Sequence, residues 1–133
     1  MFDTGPGTYP SISGTHEGTI DVYDDITVEK LYTYPCAGTG GHSEYVMIGN
    51  ATWNVSAVWN GYTTGEYHTI TFSGPFTLYA GEPYNYTIKT GSYPQIHHRA
   101  ELDVVDRGIL KCTKFTDANG NVYDDWIPAI ALW

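Results

Sequence analysis

A two-residue alternation of apolar and polar side chains recurs along this chain and constrains its fold more than any other feature. Within residues 83–98, Tyr84, Tyr86 and Ile88 share one face of an extended segment while Asn85, Thr87 and Lys89 share the other, the pattern of a half-buried strand. Gly91 breaks it. Ser92-Tyr93-Pro94 then turns the backbone and delivers two adjacent imidazoles, His97 and His98. The segment reads as a strand running into a site.

The same period places the other strands. Residues 18–23 and 26–34 read as two strands divided by Asp24-Asp25, and Leu31 falls out of step with Ile26 and Val28, which calls for a bulge near Glu29-Lys30. Residues 35–42 form a glycine-rich loop ending at His42, and residues 44–48 resume a strand. Trp53, Val55, Ala57 and Trp59 alternate in the best-patterned strand, which places both tryptophans in a buried row, and Asn60-Gly61 closes it with a hairpin signal. His68, Ile70 and Phe72 share a face over 66–72, and Phe76, Leu78 and Ala80 begin the next strand. Leu102, Val104 and Val105 make a short apolar segment of open type. Residues 109–115 read as a strand and 117–121 as a turn. Residues 126–132 read as a last strand in which Pro128 requires an edge or a bulge. Residues 1–17, punctuated by Gly5-Pro6-Gly7 and Tyr9-Pro10, read as an irregular lead-in with His16 exposed.

Twelve Tyr, fifteen Gly and seven Pro in 133 residues suit strands and turns rather than helices. Short strands at regular spacing, without helical crossovers, predict one all-β domain over residues 1–133. The expected architecture is an antiparallel two-sheet β-sandwich, jelly-roll or immunoglobulin-like.

Fifteen acidic against six basic side chains give a formal net charge of −9, which repels nucleic acid and anionic lipid and argues against phosphate binding. No apolar run approaches the roughly 20 residues that span a bilayer, so no membrane span is expected in this segment. The start lacks a basic and apolar leader, which predicts a mature or excised piece of a larger parent chain.

Cys36 and Cys112 are the only cysteines. A disulfide between them would close a long loop, worth about 4 kcal/mol by chain entropy, and would imply an oxidising compartment. Two unrelated buried thiols are the alternative.

The densest ligand chemistry lies in Gly40-Gly41-His42-Ser43-Glu44 and Ile96-His97-His98. Neutral imidazoles from two loops match sites for zinc, copper or nickel, with Glu44 as a carboxylate ligand or a partner fixing a tautomer. Adjacent residues of an extended backbone point in opposite directions, so His97 and His98 need a turn to bind one ion. Hydrogen-bonding loop histidines are the bland reading. Cys36, His42 and Met47 mimic the order of a blue-copper loop with poor spacing. Asp117, Asn119 and Asn121 resemble the opening of a calcium loop without its closing glutamate, and a hairpin turn at Asn119-Gly120 explains the same residues.

Asn50, Asn54 and Asn85 each begin an N-glycosylation sequon, and those of Asn54 and Asn85 fall opposite the apolar rows of their strands. Aromatic faces stack on carbohydrate, and once the buried rows are assigned, Tyr62, Tyr93 and Tyr123 remain as loop candidates for such contacts. No nucleophile elbow, zinc-protease helix or phosphate loop appears, so no catalytic residue is assigned.

Leu31-Tyr32-Thr33-Tyr34-Pro35-Cys36 with Gly38-Thr39-Gly40-Gly41-His42, then Tyr84 to His98, then Phe115 to Gly120 with Trp126-Ile127-Pro128-Ala129-Ile130, resemble a secreted, cell-surface β module of methanogen and Archaeoglobus-like archaeal proteins. The resemblance covers nearly the whole chain, and Cys36, His42, Glu44, His97, His98 and Cys112 sit within its motifs. It implies an extracellular β module and no particular activity. The chain is therefore expected to be an extracellular or cell-surface binding or structural module with a histidine-based metal site. Its expected partners are other surface or matrix proteins, or carbohydrate. The competing classes are a small metal-dependent, hydrolase-like enzyme using the same histidines and a subunit of a surface filament.

Overall fold

The computed structural model describes residues 1–8, 12–61 and 67–133. The described residues form strands and connections, with no helix. In chain order the strands are β1 (Phe2–Asp3), β2 (Gly14–Val22), β3 (Ile26–Thr33), β4 (His42–Gly49), β5 (Asn54–Val58), β6 (Thr69–Leu78) and β7 (Tyr84–Gly91), then β8 (Ile96–His97), β9 (Glu101–Val104), β10 (Gly108–Asp117), β11 (Val122–Tyr123), β12 (Ile127–Pro128) and β13 (Ile130–Leu132).

One sheet has the order β1-β13-β3-β6 and the larger one β11-β10-β2-β7-β4-β5, while β8 and β12 form a small separate pair. Every strand pairing among them is antiparallel. The first half of β10 also pairs with β9 and its second half with β11, so these two short strands share the edge away from β2. Strand β7 lies well inside the larger sheet, between β2 and β4.

The alternation explains why the two sheets close on one core. Ile20 and Val22 of β2, Tyr84, Tyr86 and Ile88 of β7, Val46 and Ile48 of β4 and Leu110 of β10 pack in one cluster with Val28 and Leu31 of β3, Ile70, Phe72 and Leu78 of β6, and Ile130 and Leu132 of β13. Removing these apolar surfaces from water is the main favourable term in folding. A buried polar pair also joins the sheets. The hydroxyls of Thr33 and Ser43, both nearly inaccessible, meet at 2.6 Å.

The predicted bulge in β3 is present: its register against β6 shifts between Val28 and Lys30. Several boundaries differ. The strands expected over 66–72 and from Phe76 are one strand, β6, whose exposed Ser73-Gly74-Pro75 lies opposite that bulge. The last expected strand divides at Ala129 into β12 and β13 because the chain changes partner there: the Ala129 amide donates to the Gln95 carbonyl at 3.2 Å, its carbonyl accepts from the Tyr34 amide at 3.0 Å, and pairing passes from β8 to β3. The lead-in contributes β1, and β2 begins earlier than expected, at Gly14. His16 is consequently wholly buried rather than exposed. Tyr9-Pro10, Tyr62 and Glu66 lie outside the described residues.

The disulfide is not formed: Cys36 and Cys112 are both free thiols. Cys36 follows β3, with its thiol 3.7 Å from the Pro94 carbonyl oxygen. Cys112 lies within β10, opposite Gly18 of β2, beside the backbone of Trp126. Each thiol is packed against a different partner, and burial raises both above the usual thiol range. Among the described residues no helix is long and apolar enough to cross a membrane.

Candidate functional site

The two segments singled out by their histidines do meet. Pro35 bridges Pro94, the Cys36 amide donates to the Tyr93 carbonyl at 3.0 Å, and the Gln95 amide donates to the Tyr34 carbonyl at 2.7 Å. Ser92 and Tyr93 hold positive φ angles of 51° and 56°, a conformation that bulky residues adopt only when neighbours enforce it. Here the enforcing contacts are these cross-loop hydrogen bonds.

The imidazoles nevertheless diverge. His42 opens β4 and its Nδ1–H donates to the Gly40 carbonyl at 2.8 Å, while its ring stacks on Trp59 with centroids 3.7 Å apart. Its Nε2 lies 3.5 Å from Glu44 Oε1. A register shift between Ser43 and Tyr45 makes this approach workable, because Glu44 is the extra residue in the pairing with β7. Gly91 lies opposite His42, and a methyl group there would stand 2.6 Å from Glu44 Oε1 and 2.9 Å from His42 Nε2.

His97, in β8, turns instead to the N-terminal segment, its Nε2 3.1 Å from the Gly5 carbonyl oxygen and 3.3 Å from Thr4 Oγ1. Burial there lowers its pKa, the Gly5 carbonyl opposes the shift, and the Arg99 charge adds to it. His98 is exposed and meets the Trp126 ring edge-on at 5.1 Å. Opposite orientation of adjacent residues thus separates the two. Among the described residues no three His, Cys, Asp or Glu side chains group to hold a metal ion, so His42, Glu44, His97 and His98 are not assembled as the expected zinc or copper site. The imidazole that does reach the glycine-rich loop is His68, whose Nδ1–H donates to the Gly41 carbonyl. Its period-two face pointed to the core, and only the order of the sheets brings it beside Gly41.

The expected calcium loop is organised by its own backbone. Asp117 Oδ1 accepts from the amides of Asn119 and Asn121 at 2.8 and 2.9 Å, and Oδ2 lies 3.2 Å from Asn121 Nδ2 and 3.5 Å from the Tyr123 hydroxyl. Desolvation pushes this carboxyl upward, but those hydrogen bonds outweigh it and hold the pKa below the usual carboxylate value. The carboxylate closes the β10–β11 turn, in which Gly120 takes a φ of 87°.

His16 is the buried polar group that the alternation did not reveal. Its Nδ1–H donates to the Trp126 carbonyl at 3.1 Å and its ring packs on Phe115 at 4.2 Å, leaving Nε2 buried without a hydrogen-bond partner among the described residues. Burial lowers its pKa to about 3, with the Trp126 bond opposing the shift.

A groove of about 470 Å³ lies where β6 of one sheet approaches β7 and the β4–β5 connection of the other. Trp53, Phe76 and Tyr84 form its aromatic wall and Asn50, Thr77 and Glu82 supply polar groups. Trp53 stands 5.6 Å from Phe76 and 6.1 Å edge-on from Tyr84, and it is 36% exposed. This corrects the expectation of a buried Trp53. The residue precedes the hydrogen-bonded part of β5, so the strand's alternation does not govern it, while Trp59 at the other end is half-buried. The Tyr84 hydroxyl accepts from the Tyr79 amide at 2.9 Å, which fixes the ring at the floor. Among the loop tyrosines, Tyr93 is exposed, and Tyr123 stacks on Trp126 at 4.6 Å.

Comparison with family models, with curated proteins and with solved structures returned no match.

Proposed function

We propose that this chain is an extracellular, cell-surface binding module of the β-sandwich type that takes neutral carbohydrate in the groove beside Trp53. The carrying observation is the groove's lining: the exposed ring of Trp53 and the half-buried ring of Phe76 set against the amide of Asn50, the hydroxyl of Thr77 and the carboxylate of Glu82. Sugars present that combination in reverse, with C–H faces that pack on rings and hydroxyls that bond to amides and carboxylates. A net charge of −9 disfavours anionic saccharides and leaves neutral ones. The resemblance to archaeal surface modules supports the same compartment. The hydrolase-like alternative drew on the histidine set, which among the described residues is not assembled, so the proposal carries no catalytic step.

The test is titration of the purified chain with a panel of neutral oligosaccharides, followed by tryptophan fluorescence and calorimetry. Wild type binds at least one of them, and Trp53→Ala weakens binding by about 10-fold or more, the loss expected for one stacking ring. Binding that is unchanged in Trp53→Ala, or absent across the panel at millimolar sugar, overturns the reading.

A further inference from the structure

The three sequons are not equivalent once folded. Asn54 lies in β5 opposite Gly49, and Asn85 lies in β7 between Thr19 of β2 and Gly49 of β4. In such extended backbone the hydroxyl residue two places on is roughly 6.5 Å further along the strand. Asn50 sits instead in the connection between β4 and β5, with exposed Ala51, Thr52 and Trp53 beside it. Its Oδ1 accepts from the Thr52 amide at 3.0 Å, the Thr52 hydroxyl at 3.2 Å and the Trp53 amide at 3.1 Å. Three donors on one atom identify it as the oxygen. The amide nitrogen, Nδ2, makes no hydrogen bond to a described residue. Asn50 and Thr52 also belong to the lining of the aromatic groove.

We propose that Asn50 is the acceptor of an N-linked glycan and that the first sugar of this glycan lies along Trp53 in the groove. The inference rests on reading the groove as complementary to sugar. In the transfer, Nδ2 attacks the anomeric carbon of a glycosyl phosphate donor supplied with a separate transferase. The N–C bond forms, the bond from that carbon to the phosphate oxygen breaks, the phosphate leaves as an anion, and one Nδ2 proton passes to a base of the transferase. The turn holds the Thr52 hydroxyl against the acceptor amide in advance, which neither strand sequon does. The modified chain thereby carries its own ligand, and the unmodified chain presents an open groove.

The experiment expresses the full chain in a secretory host that modifies Asn-X-Ser/Thr and, separately, in a cytosol that does not. Peptide mapping by mass spectrometry is expected to find a glycan on Asn50, retained in Thr52→Ser and lost in Thr52→Ala and Asn50→Gln, with folding checked by circular dichroism. Thr52→Ala preserves the Asn50 bonds to both backbone amides and so remains informative if Asn50→Gln fails to fold. Acrylamide quenching is expected to be weaker for the glycosylated chain than after enzymatic removal of the glycan, with the difference abolished in Trp53→Phe. An unmodified Asn50, whatever happens at Asn54 and Asn85, overturns the proposal, as does a glycan that leaves Trp53 quenching unchanged. Saccharide binding by the cytosolic protein is scored separately, so failure of the groove and failure of the modification are distinguishable.

Discussion

The buried His16 makes a quantitative demand on how stability follows pH. In the unfolded chain its imidazole titrates at the ordinary value of 6.5, whereas in the folded chain burial holds the value near 3. As pH falls below 6.5 the unfolded state takes up a proton that the folded state refuses, so folding weakens, and it goes on weakening until the folded value is reached. Linkage puts the loss at about 2 kcal/mol at pH 5 and about 5 kcal/mol below pH 3. The first figure corresponds to a fall in Tm of roughly 5–10 °C for a domain of this size. Urea unfolding followed by tryptophan fluorescence at pH 7.5, 6 and 5 measures it, with His16→Phe as the reference. Phenylalanine keeps the packing on Phe115 but carries no titrating group, and loss of the Trp126 bond shifts its stability equally at every pH. His97, also depressed by burial, acts in the same direction in both proteins and cancels in the comparison. Wild type is expected to lose about 2 kcal/mol more than His16→Phe between pH 7.5 and 5. Parallel slopes for the two proteins would refute the buried neutral imidazole.

Gly18 lies under the Tyr86 ring, and an added methyl would overlap the Lys111 carbonyl oxygen and stand 2.6 Å from the Tyr86 hydroxyl; Gly18→Ala should cost about 3 kcal/mol in urea unfolding. The Thr33–Ser43 hydroxyl pair predicts strong coupling. Ser43→Ala or Thr33→Val alone should cost about 1–3 kcal/mol by stranding a buried hydroxyl, and the double variant should cost clearly less than the sum, so additivity in a double-mutant cycle would count against the bond. Asp117→Ala should speed amide exchange at Asn119 and Asn121 while leaving exchange in β7 unchanged, as read by hydrogen-exchange NMR. Because the Asp117 carboxyl is held below its ordinary value, its contribution is present above the unfolded value and is lost as pH falls through the folded one.

Much of the architecture was legible from local pattern. The β7 alternation of Tyr84, Tyr86 and Ile88 is visible because a strand that faces one core must alternate. The bulge near Glu29 is visible because Leu31 breaks that rule by one residue. The turn at Asn119-Gly120 announces itself through a glycine free to take positive φ. The candidate site was less legible. The segment from Tyr93 to Gln95 meets the loop that was expected, yet the rings of His97 and His98 lie against Gly5 and Trp126 instead, and the imidazole that approaches the loop is His68. Trp53 matched an inward row in the sequence but lies one residue outside the paired strand, where the pleat no longer directs its side chain.

The one-dimensional pattern determined that this chain would be built of strands, roughly where they would lie and which faces would seek the core, since backbone preference and hydrophobic burial act within a few residues. Sheet order and register decided the rest: the stranded nitrogen of His16, the separation of the three imidazoles, the unpaired thiols and the groove between Trp53 and Phe76. Those contacts join residues far apart along the backbone. Their meeting depends on which edges pair and how two sheets pack, and no local spacing encodes that.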